Sequence, residues 1–97
     1  MTLKLILLKI KRDFPGVRIS AAELFDHVWI FNLEVHHMAR NMGVGSQVVA
    51  MLKEVGKPIA LFPVSLDGRQ KALERFYKRL GFKWEMNRKQ LVWRNGV

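Results

Sequence analysis

The 97-residue chain has no cysteine. That excludes a disulfide scaffold, a thiolate metal site and a cysteine nucleophile. Acidic residues are scarce as well. Eight Asp and Glu face seventeen Lys and Arg, leaving a net charge of +9. A long hydrophobic run is also missing. At the N-terminus Lys4 and Lys9 leave only four apolar residues between them, where a signal peptide needs roughly 7–15. Nothing approaches the ~20 apolar residues of a membrane span. A cytoplasmic location with no membrane partner is the default expectation. Three histidines remain as metal ligands. Two of them, His36 and His37, are adjacent, and neighbouring strand side chains point to opposite faces, so the pair is poorly placed to hold one ion. No metal is expected.

What the chain does contain suits a folded protein. At 49% hydrophobic and 26% charged residues it has the composition of a globular domain, not a disordered one. The length suggests a single domain over 1–97 with one core, burying only about 60–65% of the unfolded chain's surface. The basic surplus attracts polyanions, whether nucleic acid, an anionic membrane or a phosphorylated cofactor. Its residues are spread in short clusters such as Arg75-Lys78-Arg79, without the five- or six-residue block of a nucleic-acid-binding tail. Charge alone does not choose among these partners.

Hydrophobic periodicity predicts the elements. Leu3, Ile6, Leu7, Ile10 and Phe14 form a helical stripe ended by Pro15-Gly16. Val17 to Leu24 and Val28 to Val35 read as strands, with Asp26-His27 as the turn between them. Strict alternation in the second strand puts Trp29, Phe31, Leu33 and Val35 on one face and Ile30, Asn32 and Glu34 on the other. Val44, Val48, Met51, Leu52 and Val55 form a second helical stripe that stops at Gly56. Pro58 to Val64 reads as a strand. Asp67-Gly68-Arg69-Gln70 reads as a capping box opening a helix with Leu73, Phe76, Tyr77 and Leu80 inward, ended at Gly81. Short strands near 82–86 and 90–94 complete an α-β-β-α-β-α-β-β order. The expected fold class is α/β (α+β): a mixed, mostly antiparallel sheet with a parallel strand–helix–strand centre.

Between that central strand and the second helix lies Arg40-Asn41-Met42-Gly43-Val44-Gly45. The glycines permit a tight turn and close approach of a ligand to the backbone. The first N–H groups of the helix lack intrahelical partners and carry the positive end of its dipole. Together these features suit a diphosphate. No Gly-Lys-Ser/Thr follows, as a Walker loop requires, and the third glycine of a dinucleotide fingerprint is missing. A helix start with glycines placed only for packing is the alternative.

Three pieces taken together resemble the GNAT N-acyltransferase superfamily. They are Leu33-Glu34-Val35, then Arg40 five residues on with its Arg-x-x-Gly-x-Gly, and then the segment Ala72 to Phe82, with an alanine five residues before a tyrosine and a Leu-Gly-Phe ending. The match spans about residues 28–85, in the family's order and separation, in a short form with a reduced N-terminal half. The resemblance implies that backbone groups of Leu33 and Val35 pair with the pantetheine arm of acetyl-CoA. It implies that the N–H groups of Asn41, Met42, Gly43, Val44, Gly45 and Ser46 hold the pyrophosphate, with Arg40 at the family's Gln/Arg position. Tyr77 matches the tyrosine that acts as general acid toward the departing thiolate.

The chain departs from the family at Arg69, where an asparagine is common, and at Trp29, where some members carry a catalytic Glu. Glu23, Asp26 and His27 are possible bases, and none is assigned. The implied function is acetyl transfer from acetyl-CoA to a primary amine on a small molecule or a protein, with a homodimer as one way to complete the acceptor site. The competing function is a reduced GNAT-fold binding module whose basic surface takes nucleic acid or an acidic protein.

Overall fold

A computed structural model of the chain describes residues 2–35, 43–64, 68–87 and 89–95. Among the described residues eight elements occur in the expected order: α1 (Leu3–Asp13), β1 (Val17–Leu24), β2 (His27–Val35), α2 (Val44–Lys53), β3 (Ile59–Leu61), α3 (Gln70–Arg79), β4 (Lys83–Glu85) and β5 (Gln90–Trp93). The five strands form one sheet in the order β1-β2-β3-β5-β4. Only the β2–β3 pair is parallel; the others are antiparallel. This is the mixed sheet that the sequence implied, built around the β2–α2–β3 unit.

Each helix begins and ends for local reasons. The Thr2 hydroxyl accepts from the Leu5 N–H at 3.3 Å, capping α1, which buries Leu3, Ile6 and Ile10. Val48, Val49 and Leu52 are the buried residues of α2, and Gly56 follows it at φ 82°, a conformation that glycine adopts without a Cβ penalty. The start of α3 differs from expectation. Arg69 is its N-cap residue, with no side-chain cap bond, and Gln70 is the first helical residue, not the third. Gln70 Nε2 donates to the Pro63 carbonyl and to Glu74 Oε2 at 3.0 Å. The capping-box role therefore does not hold for Gln70, and Asp67 lies outside the described residues.

The β1–β2 turn is also one residue earlier than expected. Phe25 and Asp26 occupy it at φ 53° and 61°, the left-handed pair of a two-residue hairpin whose twist matches the strands. His27 is already the first residue of β2.

The larger correction concerns β2 itself. Ser20 pairs with Asn32 but Ala21 pairs with Ile30, so Phe31 is an extra residue without a counterpart in β1. This β-bulge reverses the alternation. Val28 and Ile30 face the core before it, and Leu33 packs against the same core after it. Trp29 and Leu33 do not share a face, because the bulge shifts the phase between them by one residue.

Core residues from all three helices (Ile6 and Ile10, Val48 and Leu52, Tyr77) form one cluster with Val28, Ile30, Ile59, Leu61 and Leu91 of the sheet. The Cα envelope of 34 × 33 × 20 Å fits a sheet with one helix layer. On the other sheet face the rings of Trp29 and Phe62 stack at 5.6 Å, and Phe62 is 59% exposed. No helix among the described residues is long and apolar enough to cross a membrane.

The two neighbours at the bulge should respond differently to truncation. Ile30→Ala is expected to cost about 2–5 kcal/mol, as a large core deletion does. Phe31→Ala, at a side chain 60% exposed, should cost under about 1 kcal/mol. Urea unfolding of both variants checks this, and equal losses would contradict the placement of Ile30 on the core face and Phe31 off it.

Candidate functional site

The β2–β3 ladder is short. It runs Val28↔Ile59, Trp29↔Ala60 and Ile30↔Leu61, and there β3 ends. β2 continues through Phe31 to Val35, so Leu33 and Val35 lie past the end of the ladder, with β1 on their other side. A sheet that opens in this way leaves room for an extended ligand to run beside β2 as an added strand does.

At the far end of β2 the next described element is the N-terminus of α2. Gly43 is its N-cap residue, in the left-handed conformation at φ 71°. The first intrahelical bond runs from the Gln47 N–H to the Gly43 carbonyl at 3.1 Å. The N–H groups of Val44, Gly45 and Ser46 therefore precede the helix's own ladder, and no side chain caps them. The first turn also has no acidic residue, so nothing there competes with an anion for the dipole's positive end. A donor set of this kind suits a diphosphate. Arg40, Asn41 and Met42, like His36 and His37, lie outside the described residues.

The two glycines have different surroundings. A Cβ on Gly43 would meet nothing within 4 Å, whereas one on Gly45 would come within 3.0 Å of the Phe76 ring. Gly43 leaves space beside the helix end. Gly45 instead lets α3 approach α2, so the packing role weighed as the alternative belongs to this position. That contact was not legible from the hexapeptide, because it depends on a residue 31 positions away.

Phe76 is followed by Tyr77, which is 3% exposed. Its ring meets Phe76 and Phe82 edge-on, with centroids 5.0 and 5.2 Å away. No buried side-chain oxygen or nitrogen among the described residues lacks a hydrogen-bond partner, and the Tyr77 hydroxyl is in none of the hydrogen bonds described. The hydroxyl therefore reaches the surface of the core while the ring is inside it. Burial pushes the phenol's pKa up to about 12, so it stays protonated through the neutral range.

Trp29, Glu23, Asp26 and His27 are separate from this arrangement. The Trp29 indole N–H donates to the Leu24 carbonyl at 3.2 Å, on the sheet face away from the helices. Glu23 is held by Lys57 at 2.8 Å, and that hydrogen bond lowers its pKa. His27 Nδ1 lies 2.9 Å from the Phe25 carbonyl.

This chain matches the acetyltransferase (GNAT) family over residues 13–82. It belongs to that family. Among solved structures, this GNAT chain is similar to the anti-CRISPR protein AcrVA5, with 30% identity and a TM-score of 0.68, covering 81% of this chain and 90% of that one. A GNAT-family acetyltransferase described as putative, from Bacteroides thetaiotaomicron, matches at 22% identity and TM-score 0.67, over 89% of this chain and 58% of that one. The Bacillus subtilis N-acetyltransferase YlbP, solved in complex with coenzyme A, matches at 18% identity and TM-score 0.64, over 94% and 80%. At such identities the latter two establish the fold. No curated protein sequence matches the chain significantly.

Burial of Tyr77 has a consequence for stability. An ordinary tyrosine titrates near pH 10, and here the folded value is raised to about 12. Below pH 10 both states are protonated, and the favourable contribution of the neutral phenol is complete. Above it the unfolded chain ionises first, and stability falls until about pH 12. Urea unfolding at pH 9 and pH 11 should show wild type losing about 1 kcal/mol more than Tyr77→Phe over that interval. Parallel losses would assign the alkaline loss to other groups.

Proposed function

We propose that this GNAT protein transfers an acetyl group from acetyl-CoA to a primary amine. The observation that carries the reading is the position of the β2–β3 parting, which ends beside the uncapped N-terminus of α2. The edge of β2 at Leu33 and Val35 would hold the pantetheine arm. The N–H groups of Gly43, Val44, Gly45 and Ser46, with Asn41 and Met42 before them and Arg40 at the turn, would hold the pyrophosphate.

Bound acetyl-CoA supplies the activated thioester. The backbone N–H groups of β2 near the bulge polarise its carbonyl and stabilise the charge that develops on the oxygen. The amine nitrogen would bond to the acetyl carbon with loss of the C–S bond, and the Tyr77 hydroxyl would give its proton to the departing sulfur and regain one from solvent. The amine's own proton leaves to water. The acceptor amine is on a small molecule or a protein.

Saturating acetyl-CoA should stabilise the protein. At ~100 times the dissociation constant the gain is about 2.7 kcal/mol, or roughly 10–20 °C in melting temperature. Gly43→Glu, which places a carboxylate at the helix end, should remove the shift. Absence of a shift with either acetyl-CoA or CoA in the wild type would contradict the cofactor reading.

Tyr77→Phe separates chemistry from binding. With an amine acceptor in place, kcat should fall by about 10²–10⁴-fold, the usual size of an acid–base contribution, while the dissociation constant for CoA changes less than about threefold. An unchanged kcat would remove Tyr77 from the reaction.

A further inference from the structure

We propose that a groove on the outer side of α3, lined by Ala72, Arg75, Lys78 and Arg79, binds the 3′-phosphate of coenzyme A and makes the protein select CoA over dephospho-CoA. This rests on the coenzyme reading above and extends it to side chains that the motif comparison did not single out. The groove has a volume of about 680 Å³. Ala72 gives it a small wall, and the other three described lining residues are cations.

Arg75, Lys78 and Arg79 are in none of the ion pairs described, such as Arg12–Asp13, Lys57–Glu23 and Arg94–Glu85. The one acid on α3, Glu74, accepts from Gln70. Arg75 with Lys78 and Arg75 with Arg79 are spaced i,i+3 and i,i+4, where like charges destabilise a helix by a few tenths of a kcal/mol per pair. Among the described residues no ion pair offsets this, so the cluster is poised for an anion from outside.

The position of the groove selects which anion. Ala72, Phe76 and Arg79 are spaced i,i+4,i+7, which places them on one side of α3. Phe76 is the residue whose ring lies against Gly45 in the first turn of α2. The side of α3 that carries Ala72 and Arg79 is therefore the side toward the proposed pyrophosphate site. A coenzyme A molecule bound there by its diphosphate carries its adenosine, with a dianionic phosphate on the 3′ oxygen, away from that helix end. Arginine suits this group because its planar fork makes paired charge-assisted hydrogen bonds to phosphate oxygens.

The test compares CoA, dephospho-CoA and adenosine 3′,5′-bisphosphate by isothermal titration calorimetry on the full chain. Wild type should bind CoA on the order of ten-fold more tightly than dephospho-CoA, a difference of about 1.4 kcal/mol, and raised salt should shrink the gap. R75Q/R79Q should bring CoA down to the dephospho-CoA value while leaving dephospho-CoA unchanged, and should lose adenosine 3′,5′-bisphosphate binding. K78Q offers a milder variant should the double one unfold. Equal binding of both coenzymes by wild type would overturn the proposal and leave the coenzyme reading standing. Equal weakening of both coenzymes in R75Q/R79Q would also overturn it. Failure of wild type to bind either coenzyme would overturn both.

Discussion

The three-pair ladder between β2 and β3 governs the rest of the molecule. A strand nine residues long is paired in parallel with one of three, and the difference in length creates the opening. Pairing is kept on the side where hydrophobic burial is greatest, at Val28, Ile30, Ile59 and Leu61, and it ends at the bulge. The bulge at Phe31 occurs at this point. It returns Leu33 to the core side after the strand has bent, so the outer half of β2 stays anchored to β1 and the core while departing from β3. Were all these residues kept in regular alternation with no bulge, Leu33 and Val35 would turn outward and the anchor would be lost.

The helix layer is arranged around the same opening. α2 starts where β2 has carried the chain past the ladder, and its first turn has neither a capping side chain nor an acid. α3 packs close to that turn because Gly45 has no side chain to hold Phe76 away. The same contact sets Tyr77, the next residue, into the core with its hydroxyl at the margin. Under the proposed function, the α2 donors, the β2 edge and the phenol would be brought to one ligand by packing that involves two short helices. Loss of the Gly45–Phe76 fit would disturb all of them together.

Much of this was legible in the sequence, and what was not has physical reasons. Helical stripes such as Val44-Val48-Leu52 are local, and glycines at 56 and 81 marked helix ends that the fold confirms at positive φ. The parallel centre followed from the strand–helix–strand order. The bulge was hidden, because an inserted residue is defined by the partner strand and β2 alone reads as regular alternation. Asp67-Gly68-Arg69-Gln70 has the letters of a capping box, yet Gln70 bonds to Pro63 and Glu74, a tertiary choice that propensity does not contain. In the site, Gly43 and Tyr77 were singled out from motif spacing. The different work of Gly45 required knowing that Phe76 faces it, and the Arg75-Lys78-Arg79 cluster was visible without anything to say what it lies beside.

The central claim is that one ligand runs along the β2 edge to the α2 N-terminus. Backbone amide shifts measured by NMR during a titration with coenzyme A test it most directly. The largest changes are predicted at Leu33, Val35, Val44, Gly45 and Ser46, with the Trp29–Phe62 face little affected. Changes centred on that aromatic face or on α1, with the α2 amides unmoved, would contradict the account.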